Sequence, residues 1–280
     1  MKDLSMTQAS RQKIRWGAGT VLMLILGLIV YAKVFTPMAE DRAQALLEKE
    51  FTPALLNGVA PVGYPIESGR PIALLEIKDI DVRRVVIEGT RAEELAKAPG
   101  HLVGSALPGQ PGTSAILGRS SHYGSAFTRL DELKSGQEVT VTTAQGVHTY
   151  EVVDSTVRSA SDSAAFIGER NMLLLITGVG GAYPDKRLVV RALLTSPVFP
   201  AGTAAIEVQT ATPELGLEGS SKSPVQLAIW LFLLLFLLIA LIPIKEKIGM
   251  RVTWLIAIPV LAVVLFQVWN TASLMYPSIG

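Results

Sequence analysis

The stretch that decides the fold is Ile72-Ala-Leu-Leu-Glu-Ile77, a turn Lys78-Asp-Ile-Asp81, and Val82-Arg-Arg-Val-Val-Ile-Glu88. Two short runs rich in β-branched and apolar residues, separated by a polar turn, read as consecutive strands. The same texture continues at Ser114 to Gly118, Glu138 to Thr143, Val147 to Val153, Leu173 to Thr177 and Leu188 to Leu194. Repeated short strands with turn residues between them predict an all-β barrel or sandwich over residues 72–195. Clusters of Ala, Leu, Glu and Lys predict short helices at Ala92 to Lys97 and Ala126 to Leu133.

Outward from that domain the chain becomes apolar. Of 280 residues 49% are hydrophobic and 18% charged, too apolar for an ordinary soluble domain. The excess lies in residues 16–36, 225–244 and 252–269, each close to the ~20 residues an α-helix needs to cross a bilayer. Three spans are therefore expected. Lys2, Arg11, Lys13 and Arg15 make the tail 1–15 basic, and the loop 245–251 carries Lys245, Lys247 and Arg251. The positive-inside rule puts both in the cytoplasm, so residues 37–224 and the tail 270–280 lie outside. The expectation is a multi-pass cell-membrane protein with a cytoplasmic N-terminus and its main domain extracytoplasmic. The outer segment is acidic, roughly −5, which argues against a nucleic-acid partner.

Residues 37–71 read as an amphipathic helix, Met38 to Leu56, followed by a Gly- and Pro-rich linker. Its apolar face is expected to carry Ala43, Leu46, Leu47 and Phe51. Residues 196–224 read as a second linker, long enough to be mobile. The chain contains no cysteine, which excludes disulfides and thiolate chemistry. No His, Asp or Glu spacing points to a metal, and no phosphate- or dinucleotide-binding fingerprint occurs, so no cofactor is expected. His101 reads as a loop histidine and His148 as an exposed strand residue.

Several blocks, in order and spacing, resemble the sortases, with the greatest similarity to the class C and class E branches. They are Ile77-Lys-Asp-Ile-Asp-Val-Arg-Arg-Val-Val-Ile-Glu-Gly-Thr90, Pro99-Gly-His101, Ala106-Leu-Pro-Gly-Gln-Pro-Gly-Thr-Ser-Ala-Ile-Leu-Gly118, Tyr123-Gly-Ser-Ala-Phe-Thr-Arg-Leu-Asp-Glu-Leu-Lys-Ser-Gly136 and Arg187-Leu-Val-Val-Arg-Ala192. The resemblance implies an eight-stranded β-barrel and membership among membrane-bound cysteine transpeptidases of the Gram-positive or actinobacterial surface. That family cuts a sorting signal of the Leu-Pro-x-Thr-Gly type and joins it to an amine.

Carried over position by position, the resemblance sets Gly178 where the family has its cysteine, Arg119 where it has its histidine, and Arg187 at the retained arginine. A glycine cannot hold an acyl group and a guanidinium cannot exchange protons near neutral pH. The expectation is then a pseudoenzyme, not an enzyme, acting as a binding or scaffold subunit for other membrane or surface proteins. Alternatives are an accessory subunit of a larger membrane complex, or a hydrolase or transpeptidase with relocated chemistry on Ser120, Ser121 or Thr177 with His122 as base. Arg119, Arg187, Gly178 and Thr177 form the candidate binding site, suited to an extended peptide or a carboxylate-bearing segment. The competing reading pairs Arg119 or Arg187 with Asp185 or another local acid and merely fixes the loop.

Overall fold

The first two strands form because Asp81 turns the chain. Asp81 adopts a left-handed conformation, φ 56°, after a single 3-10 turn Lys78–Ile80, a geometry Asp tolerates better than most residues. β1 (Pro71–Ile77) and β2 (Val82–Glu88) thereby pair antiparallel. The computed structural model describes residues 26–27, 29–120, 125–159, 162, 171–180, 184–200 and 223–275.

Six more strands follow: β3 (Gly100–His101), β4 (Thr113–Leu117), β5 (Glu138–Thr143), β6 (Gly146–Ser159), β7 (Met172–Val179) and β8 (Lys186–Leu194). They close into a barrel in the order β1-β2-β3-β4-β7-β8-β6-β5. Closure leaves no exposed edge on which another strand could add. β2 with β3, and β4 with β7, run parallel; the other pairs are antiparallel. The expectation of an eight-stranded barrel holds.

The core has two layers. Leu75, Ile77, Ile116, Val139, Val141, Tyr150, Leu173, Leu175 and Val190 pack in one cluster. The alternate residues Ala115, Leu117, Leu174, Ile176 and Val189 pack on the other face with Leu95 and Leu102. Leu95 ends the short helix α2 (Ala92–Leu95). Burial on both faces accounts for the unbroken apolar run Leu173 to Ile176, where each side chain contributes on the order of 2 kcal/mol. The second predicted helix is absent: Ala126 to Leu133 forms turns and a 3-10 segment, Leu130–Glu132.

The amphipathic helix is real, and its docked face keeps Phe51 and Leu47 of the expected stripe but not Leu46. α1 (Thr36–Leu56) follows a π-helical turn, Tyr31–Phe35. Its buried residues are Thr36, Glu40, Gln44 and Phe51, whereas Leu46 is exposed. Polar bonds select this face. The Gln44 amide donates to the Val85 carbonyl (3.1 Å) and accepts from the Val85 N–H (2.8 Å). Arg84 reaches Glu40 at 3.3 Å and Asp41 at 3.5 Å, and Arg83 reaches Glu48 at 2.6 Å. Phe51 packs with Ala60 and Val85.

The second linker is not wholly loose. The Ser196 hydroxyl accepts from the Thr149 N–H, the Phe199 N–H donates to the Gly109 carbonyl (2.9 Å), and Gln145 donates to the Pro200 carbonyl (2.8 Å). Residues 201–222 lie outside the described residues.

Two helices, not three, are long and apolar enough to cross a membrane among the described residues. They are α3 (Ser223–Ile248) and α4 (Met250–Met275), broken only around Gly249. Most of the first predicted span, residues 16–25, lies outside the described residues, as does the tail 1–15. Its end packs on α4: the Tyr31 ring meets Phe266 at 5.2 Å and Trp269 at 5.9 Å, its hydroxyl donates to Asn270 (3.3 Å), and Phe35 meets Phe266 at 5.6 Å. The segment leading into the barrel is thus tied to the C-terminal helix.

Candidate functional site

Strand register brings the four predicted positions to one end of the barrel. In the β7–β8 pair Gly178 lies opposite Arg187. The parallel β4–β7 ladder ends with Leu117 opposite Ile176, and the Gly118 N–H continues it to the Ile176 carbonyl (3.0 Å). Arg119 is therefore beside the Thr177–Gly178 step. The Thr177 hydroxyl donates to the Gly118 carbonyl and the Ser120 hydroxyl to the Gly178 carbonyl, both at 2.7 Å. Thr177 and Ser120 thus spend their hydroxyl protons tying the two strands together.

Both arginines are buried, Arg119 at 6% and Arg187 at 1% exposure. Arg119 donates to the Ala92 carbonyl (3.1 Å), which anchors α2. Burial lowers the Arg187 pKa below the usual guanidinium value, and the nearby Asp162 carboxylate works in the opposite direction. Arg158, opposite Arg187 in the β6–β8 pair, is 3.1 Å from Asp162. Asp162, a local acid other than Asp185, thus lies beside Arg158 and within electrostatic reach of Arg187, and Glu40 of α1 lies within electrostatic reach of Arg119. The proposed rescue residues Ser121 and His122 lie outside the described residues, as does Gly181.

Sequence reasoning missed a second polar cluster. His101 is neither in a loop nor exposed: it ends β3 at 0% exposure, beside Glu88 at 1%. Its Nδ1 is 2.9 Å from Glu88 Oε2 and 3.3 Å from the Tyr64 hydroxyl, and its Nε2 is 2.9 Å from Ser105 Oγ and 3.0 Å from the Ala106 carbonyl. The close approach needs Gly100, since a Cβ there would come within 2.1 Å of the Gly89 carbonyl oxygen. That glycine is the one signal in the sequence that could have marked the cluster. His148 is also buried, with Nε2 2.8 Å from Thr143 Oγ1, and burial lowers its pKa. Among the described residues no group of three or more His, Asp or Glu side chains is placed to hold a metal.

Comparison with known proteins bears on this geometry. Residues 75–195, less than half of the chain, match the sortase domain. The barrel is similar to that domain. Over 113 residues the chain is 30% identical to Sortase D of Bacillus subtilis (strain 168), a match covering 40% of this chain and 56% of that relative, little more than half its length. Two solved structures are similar. A Clostridium perfringens Sortase D5 transpeptidase is 24% identical, with a TM-score of 0.47, covering 57% of this chain and 99% of the other. Sortase E from Streptomyces avermitilis is 28% identical, with a TM-score of 0.42, covering 47% and 91%. The relative in sequence is a Sortase D, so the expected class C or E branch is not supported.

The expectation that the chain is not an enzyme does not stand. Residues 75–195 match the sortase domain and the sequence relative is itself a sortase, Sortase D, so a pseudoenzyme is not supported.

Proposed function

We propose that the sortase domain captures an extended peptide segment of a membrane or surface protein at the barrel end formed by Gly178, Arg119 and Arg187, and holds the segment's carboxylate there. The observation that carries this reading is the strand register, which sets Gly178 opposite Arg187 and brings Arg119 beside the same strand end. Guanidinium groups favour a planar anion through charge-assisted, bidentate hydrogen bonds. Gly178 leaves the strand end without a side chain, where a peptide backbone can approach.

The setting supports the same reading. α1 is fastened to β2 by Gln44, Glu40 and Glu48, so the domain is held at a short, fixed distance from its membrane-proximal segment. Two apolar helices follow it. With the basic tail and loop in the cytoplasm, the site faces outward and close to the bilayer, where segments of other membrane and surface proteins are found.

The test uses the full chain in detergent and a labelled extended peptide of the Leu-Pro-x-Thr-Gly type, with either a free C-terminal carboxylate or a carboxamide. The carboxylate form is expected to bind at least about 5-fold more tightly at low salt. That preference is expected to shrink with added salt and in Arg119→Gln. Equal affinity for the two peptides, or no binding of either, contradicts the proposal.

A further inference from the structure

We propose that Ser105, His101 and Glu88 form a serine nucleophile centre of the sortase domain, separate from the Gly178 end, which takes an acyl group from an ester-type donor. The assignment begins with the proton on the imidazole. Nδ1 faces a carboxylate oxygen of Glu88 at 2.9 Å and the Tyr64 oxygen at 3.3 Å. The Tyr64 hydroxyl spends its own proton on the Ser105 carbonyl at 3.0 Å. Burial, with Glu88 nearby, keeps that phenol protonated far above the usual range. Both neighbours of Nδ1 are therefore acceptors, which puts the N–H there and leaves Nε2 with the lone pair.

Nε2 in turn faces Ser105 Oγ at 2.9 Å, within the reach expected of a nucleophile and its base. The Ala115 N–H donates to the same oxygen at 3.2 Å, occupying a lone pair and leaving the hydroxyl proton directed at Nε2. Once the ring takes that proton, the Ala106 carbonyl 3.0 Å away accepts a hydrogen bond from the new N–H. Glu88 and His101 are buried, and Oε1 of Glu88 has no hydrogen bond among the described residues, so the carboxylate gains directly from positive charge on the ring. Ser105 itself is only half-buried, and the neighbouring Gly104, φ 86°, has nothing within 4 Å of where a Cβ would stand. The order of burial, with acid and base inside and hydroxyl at the surface, is the one a nucleophile serine requires.

The step balances without any co-reactant but water. Ser105 Oγ bonds to the acyl carbon as its proton passes to Nε2. The ester C–O bond breaks and the leaving alcohol takes that proton. Water, deprotonated by the same nitrogen, then attacks the acyl-serine and releases the acid.

A chain without cysteine allows a direct test. In the full chain Ser105→Cys supplies the one thiol, and the pH dependence of its alkylation by iodoacetamide reports whether His101 activates that position. The midpoint is expected about one unit or more below the ordinary thiol value of about 8.5, returning to it in Ser105→Cys with His101→Gln. An ordinary midpoint insensitive to His101, or a thiol that does not react, overturns the proposal. Should the cysteine variant fail to fold, the native chain decides: a fluorophosphonate ester is expected to label Ser105, found by peptide mapping, with the label lost in Ser105→Ala. No label on Ser105 overturns the proposal equally.

Discussion

Gly118 shows how tightly single residues set the barrel end. A Cβ there would come within 2.5 Å of the Phe127 ring, which is itself buried at 1% exposure and held by its N–H to the Arg119 carbonyl at 3.0 Å. Phe127 has no room to retreat. Gly118→Ala is therefore expected to cost about 1 to 3 kcal/mol, read as a thermal midpoint several degrees lower. Gly136→Ala is the contrast. Its φ is 88° and nothing lies within 4 Å of a Cβ, so only left-handed backbone strain, about 1 kcal/mol, is expected. Equal losses in both variants would show that the Phe127 contact is not tight. The glycine could be read in the sequence, but not its ring neighbour, which comes from nine residues further on.

At the scale of elements, α1 docks through a buried acid. Burial pushes Glu40 up to about 7 from an ordinary 4.5, against the pull of Arg84 and Arg119 and with a smaller push from Asp41. Its folded value lies above its unfolded one, so the folded state holds the extra proton. Stability from this group is complete below about pH 4.5 and is lost as pH rises through 7. The loss approaches about 3 kcal/mol. Glu40→Gln is expected to flatten the fall in thermal midpoint between pH 5 and 8 and to raise the midpoint at pH 8. An unchanged pH slope would place the titration elsewhere.

The same helix marks where sequence reading stops. A periodic apolar stripe predicted its existence, yet hydrogen bonds from Gln44 to the Val85 backbone chose the docking face, and periodicity carries no record of such partners. β6 makes a parallel case. Tyr150 and Val152 point inward and set the phase, which buries His148 and leaves Val147 exposed at 59%. His148 was expected to be the exposed residue of this strand. The two-residue β3 was invisible for want of any run, and with it the Glu88–His101 contact that depends on β2 and β3 lying side by side.

For the whole molecule, composition marks where the strand-rich stretch begins and ends. Strands run from Pro71 to Leu194 and the sortase match from 75 to 195, against an expected 72–195. Composition sets such boundaries, because β-branched runs give way sharply to Gly, Pro and Ser. The chemistry was not legible. The absence of cysteine could be seen in a string of letters, whereas a hydroxyl meeting an imidazole needs the fold to bring Ser105 back toward His101 and Glu88. The residues before α1 pack on α4, one of the two helices long and apolar enough to cross a membrane.

The claim that a peptide end is held where Arg119, Gly178 and Arg187 meet is tested most directly by photo-crosslinking. A peptide of the Leu-Pro-x-Thr-Gly type with a photoreactive group beside its terminal carboxylate is irradiated with the full chain in detergent, and the adducts are mapped by mass spectrometry. Adducts are predicted on residues 117–120, 176–180 or 184–188. Adducts confined to α1, to the β5–β6 hairpin or to the membrane helices would contradict it.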